Sequence, residues 1–153
     1  NVVMAFRVFE AAGLENENDL KPERIGVAVS VNALKDHKID AFFWVGGLPT
    51  SAVTDLGATP GVKLKLIDHA DLAAKMNAKY GDLYAGSTIK SGTYPGQTTD
   101  NKNTVVWNIL VANAKMSDQD AYNIVKTIFD KKADLVAVHG EAKNFTLENQ
   151  VKS

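Results

Sequence analysis

Residues 39–50 read IDAFFWVGGLPT, an apolar run that passes through Trp44 into Gly46 and Gly47 and then into Pro49 and Thr50. A strand that ends in glycines just ahead of a helix start leaves backbone N–H groups and a hydroxyl facing the space beyond it, which suits a small anion. Trp44, Gly46, Gly47, Pro49 and Thr50 are therefore the first candidate ligand contacts. Trp44 falls at the carboxyl end of the strand, where open α/β sheets bind ligands, while Phe43 fits equally well as a buried strand residue packed on helices. Tyr94 lies in a Gly-Thr-Tyr-Pro-Gly turn at 92–96. It is either a ligand contact that faces the same cleft from the hinge side, with Thr93 and Gln97 as weaker candidates, or a surface tyrosine in a turn.

Other chemistry finds no support. His37, His69 and His139 are the only histidines, and none has a second donor at a spacing that would place two ligands on one metal. No nucleophile elbow, phosphate-binding glycine loop or dinucleotide fingerprint occurs, and Asp40 and Asp68 at strand ends read as caps. The expectation is a binding protein without catalytic residues, metal or cofactor. Seventeen basic residues against eighteen acidic ones give a net charge of −1, and only Arg7 and Arg24 are arginines, so no footprint for nucleic acid is present. The absence of cysteine suits either a reducing cytosol or an exported protein that avoids unpaired thiols. The longest uninterrupted apolar run, Ala41–Val45, falls far short of the roughly 20 residues that span a bilayer. The chain does not begin with Met and has no basic segment ahead of an apolar one, so a processed or partial chain without a signal peptide is expected.

Several elements must position these residues. Val3, Phe6, Phe9 and Ala12 recur at helical spacing, with Asn1 as a cap and Gly13 as a stop. The polar stretch ENENDLKPER leads into a short β-rich run, Ile25–Val29, after which Ser30 caps a brief helix through Lys35. Ile39–Val45 reads as a central parallel strand, and Pro49 as the first-turn proline of a helix that buries Ala52, Val53 and Leu56. GATPG at 57–61 makes a turn, Val62–Leu66 alternates as a strand near a sheet edge, and a helix runs from about Ala70 to Tyr80. Residues 86–104 hold many turn formers and form a long loop, followed by a strand from Thr104 to Ala112. Ser117 and Asp120 make a capping box for a helix that buries Ala121, Ile124, Val125, Ile128 and Phe129, and the tail is helical in pieces around Gly140. The alternation of strand and helix predicts an α/β fold with a mostly parallel sheet flanked by helices.

These stretches in order resemble the TAXI-type solute receptors of tripartite (TRAP) bacterial transporters. VVMAFRVFEAAGL is similar to the helix that in that family follows a Gly-Ser-Gly-Thr loop. KIDAFFWVGG is similar to the family's signature strand, IKSGTYPGQ to its downstream binding loop, and TVVWNILVANAKMSDQDAYNIVKTIFD to its return segment. His37 stands where the family more usually has glycine, a departure expected to matter little provided the turn there is not left-handed. The resemblance implies a periplasmic binding protein of the second structural type, comprising a second-lobe α/β domain at 1–88 and a binding loop and return segment toward the first lobe at 89–153. It further implies an extracytoplasmic receptor that captures a small carboxylate or an amino acid such as glutamate or glutamine and delivers it to the membrane subunits of a TRAP transporter. The opening units of the first lobe are not expected within these residues. The isolated chain is then expected to bind ligand more weakly than a complete receptor, and to self-associate through Val105, Trp107, Ile124 and Phe129. A protein-interaction or immunogenic module is the alternative reading.

Overall fold

The computed structural model describes residues 2–15 and 18–151; the expected cap at Asn1 and the middle of the polar stretch, Asn16 and Glu17, lie outside them. Contacts divide the chain into two units, Asn1–Val106 and Trp107–Ser153.

The first unit opens with α1, Val2–Ala11, which ends at Gly13 with φ 84°. Its Met4 and Val8, one turn apart, bury against Ala73, Met76 and Tyr84, and Phe43, Val45 and Tyr80 close over that core. The second element, α2, spans Val27–Lys35. The strand expected at Ile25–Val29 is thus largely helix, and Ser30 is a buried residue inside it rather than its cap. The helix packs against α3, Ser51–Ala58, through Val31, Val53 and Leu56. That packing outweighs the β preference of three alternating valines.

The turn after α2 is left-handed after all. His37 has φ 55°, its N–H donates to the Leu34 carbonyl at 3.1 Å, and that of Lys38 donates to Ala33 at 2.8 Å, the two bonds of a Schellman motif. Pro49 does not lie in the first turn of α3 as expected: Thr50 is the N-cap residue, and Pro49 precedes it after a cis peptide bond. The helix runs through Gly57 and Ala58, so the predicted turn is confined to 59–61, where Gly61 has φ 81°. Glycine suits the interior of α3 because a Cβ at position 57 would lie 2.6 Å from the Pro95 carbonyl oxygen. A 3-10 turn at Ala70–Leu72 leads into α4, Ala73–Tyr80, which stops at Gly81 with φ 90°.

Among the described residues the sheet has two strands, β1 (Tyr84–Ile89) and β2 (Asn101–Val106), paired antiparallel with Gly86 opposite Thr104. Half of the predicted long loop is therefore ladder, and its tip is residues 90–100. The parallel sheet expected from the alternation is not formed there. No strand is assigned over 39–47, so the central strand expected at Ile39–Val45 is not formed. In 62–66 the apolar side chains do turn inward and the lysines outward, as the alternation predicts, yet that segment forms no ladder either. It reaches β2 only at its far end, where the His69 N–H donates to the Lys102 carbonyl at 2.8 Å.

After β2, in the second unit, no strand is assigned over 107–113, so the strand predicted from Thr104 to Ala112 stops at Val106. Helix α5, Asp118–Asp130, is capped as predicted: the Ser117 hydroxyl oxygen accepts the Asp120 N–H at 3.1 Å. Its predicted buried face is open within the unit, since Ala121, Ile124 and Val125 are exposed and Ile128 and Phe129 half-buried. Helix α6, Lys132–Val138, and two 3-10 segments, Gly140–Asn144 and Leu147–Val151, complete the helical tail. No helix among the described residues is long and apolar enough to cross a membrane.

Candidate ligand site

The candidate residues before α3 are organised around Thr50. Its hydroxyl donates to the Gly47 carbonyl at 2.8 Å and accepts the Trp44 indole N–H at 3.0 Å. Its backbone N–H donates to the Tyr94 hydroxyl at 3.1 Å, 44 positions along the chain. One threonine thus ties together the end of the extended segment, the glycine pivot and the tip of the β1–β2 connection. The Thr50 N–H, one of those expected to be free for an anion, is engaged by Tyr94.

Trp44 keeps 37% of its surface exposed, whereas Tyr94 keeps 4%. The indole lies over Gly46 so closely that a Cβ there would come within 2.6 Å of Nε1 and 2.9 Å of Cζ2. Gly46 therefore serves the seating of Trp44. Behind the indole, Phe43 packs edge-on against Phe9, with centroids 6.3 Å apart, and tilted against His69 at 5.8 Å, the buried option for Phe43.

The loop that presents Tyr94 is stiffened from within. Gln97 accepts the Tyr94 N–H at 3.3 Å and donates to the carbonyls of Ile89 and Thr99 at 3.2 and 3.0 Å, which occupies the polar ends of its amide. Thr93 donates its hydroxyl to the Lys90 carbonyl at 2.7 Å. Asp100 closes the base: it takes the Lys90 ammonium and the Ser91 N–H, each at 2.8 Å, and these hold its carboxyl below the usual carboxylate range. The polar atoms of Thr93 and Gln97 thus hold Tyr94 in place, while Trp44, Gly47, Thr50 and Tyr94 form one hydrogen-bonded cluster. Pro49 is exposed beside it.

Reading the sequence missed Gly57, whose missing side chain admits the Pro95 carbonyl and so docks the Tyr94 loop on α3. The signal was there, a glycine inside a helical pattern. No group of three or more metal-ligating side chains occurs among the described residues.

The sequence model of one family, described as the NMT1-like family, matches residues 1–153. This chain belongs to the NMT1-like family. Membership in the NMT1-like family fits a solute-binding role.

Proposed function

We propose that this NMT1-like chain is the ligand-binding part of an extracytoplasmic receptor that captures a small carboxylate or an amino acid of the glutamate or glutamine kind and passes it to membrane subunits of a tripartite transporter. The role is binding and release, without covalent chemistry. One observation carries the reading: Thr50 joins Trp44, Gly47 and Tyr94 in a single cluster with an indole face open beside it. The resemblance of KIDAFFWVGG and IKSGTYPGQ to the signature strand and binding loop of TAXI-type receptors supports the finer assignment.

Titration of the chain with L-glutamate, L-glutamine and succinate, followed by Trp44 fluorescence in a Trp107→Phe background, tests it. A saturable change with at least one of them is expected, weakened roughly tenfold or more by Thr50→Val, because that substitution orphans two polar partners. A response identical in Thr50→Val, or none with any of the three in a folded chain, overturns the assignment. The second reading, a protein-contact module, draws on Ile109, Leu110 and Val111, which are 65, 71 and 81% exposed in succession.

A further inference from the structure

A cleft of about 290 Å³ lies between α1 and α4 and shares no residue with the Thr50 cluster. Its lining includes Arg7, Glu10, Lys75, Met76, Lys79 and Tyr80, so three cations face one carboxylate. Arg7 is one of only two arginines in the chain, and the ligand cluster makes no use of it.

The guanidinium is fixed before any ligand arrives. Its Nη1 donates to the Tyr84 hydroxyl at 2.5 Å, and its Cζ lies 3.9 Å from the centroid of the Tyr80 ring. That hydroxyl takes one of the five donors of the fork, and Arg7 makes no ion pair among the described residues. At the end of the cleft the Lys75 ammonium donates to the last carbonyl of α1, that of Ala11, at 3.3 Å. Lys79 differs, being paired with Glu10, which also accepts the Tyr80 hydroxyl. Lys79 thus has a carboxylate partner, whereas Arg7 and Lys75 form no ion pair among the described residues.

We propose that this cleft is an accessory binding site for a small monocarboxylate, its carboxylate held by the free edge of Arg7 and by Lys75. A planar fork restrained on two aromatic side chains can take a carboxylate through two parallel N–H bonds. The fixed negative charge of Glu10 selects further, since it opposes a second negative charge in so small a space. Tyr80 and Met76 give a short aliphatic chain an apolar wall.

The test is a titration of the whole chain with sodium butyrate at constant ionic strength, following the Arg7 side-chain N–H and the backbone amides of α1 and α4 by NMR. Saturable shifts in that set are expected, while sodium chloride or sulfate at equal ionic strength gives none. Lys75→Gln, an exposed change that spares the core, should weaken binding about two- to fivefold. Arg7→Lys, which keeps the charge and removes the fork, should weaken it roughly tenfold or more. Glu10→Gln should tighten it and admit sulfate. Thr50→Val should leave these shifts unchanged, which separates this site from the cluster around Trp44. Shifts that chloride reproduces, that never saturate, or that persist at full strength in both Lys75→Gln and Arg7→Lys would overturn the proposal.

Discussion

Lowering the pH through the histidine range should weaken the first unit, and His69 is the reason. Its Nδ1 accepts the backbone N–H of Thr104 at 3.1 Å. The Thr104 hydroxyl is no competing donor, because it donates to the His69 carbonyl at 2.8 Å. Nδ1 is therefore the unprotonated nitrogen and the ring is neutral, with its proton on Nε2. Burial pushes the His69 pKa below its ordinary value; its own backbone hydrogen bond and the charges of Asp68 and Asp71 oppose that push without reversing it. In the unfolded chain the group titrates near 6.5, so below that pH the unfolded state binds more protons than the folded one. Stability is fully present above the unfolded value and is lost as pH falls toward the folded one. Protonated Nδ1 would set one N–H against another, and Thr104, 4% exposed, would keep an amide with no acceptor. Proton linkage limits the loss between pH 7.5 and 5.5 to about 1.4 kcal/mol, so in urea, with a slope near 2 kcal/mol/M, the midpoint should fall by up to about 0.7 M. Trp44 emission in Trp107→Phe reports the transition. His69→Gln, whose carbonyl can accept without titrating, should flatten the dependence. Equal pH dependence in the two proteins, or an NMR titration of His69 at or above 6.5, would refute the reasoning.

Two further outcomes follow from the backbone. Gly46→Ala should displace the indole, break the Trp44–Thr50 bond and shift Trp44 emission to longer wavelength; an unchanged spectrum would mean that the indole is not seated as described. His37→Gly should stabilise the first unit by up to about 1 kcal/mol in urea unfolding, because glycine meets no steric penalty in the left-handed region while gaining some entropy in the unfolded chain.

The helices were legible wherever periodicity and stop signals agreed. Gly13 as the stop of α1, Val53 and Leu56 in α3, and Ser117 with Asp120 at α5 stated their roles locally, but the stripe Val3, Phe6, Phe9 and Ala12 is not the buried face of α1: Val3 is 62% exposed, and Met4, Ala5 and Val8 are the buried residues. The strands were not legible, for a reason visible in β2. Asn101 and Thr104 are buried polar residues, satisfied by Asp68 and His69 from a segment more than 30 positions away, so NKNTVV lacks the apolar alternation that marks a strand. In VAVSV the β-branched pattern pointed to a strand, and packing of Val31 on α3 decided for helix. Within the site, Trp44, Gly47 and Thr50 were readable together because six residues hold them. Tyr94 was expected to face the same cleft, but its bond to Thr50 was not readable, since no local spacing encodes a contact across 44 positions.

The bond from Arg7 to Tyr84 spans 77 positions, and the core beneath it joins Met4 and Val8 to Met76 and Tyr84. A ribosome adding about 5–20 residues per second needs roughly 4–15 s to travel that far. For that interval the apolar side chains of α1 have nothing to lie against, and its ten residues are too few to hold a helix alone in water. Folding of the first unit therefore waits until α4 and β1 emerge to cover Met4 and Val8.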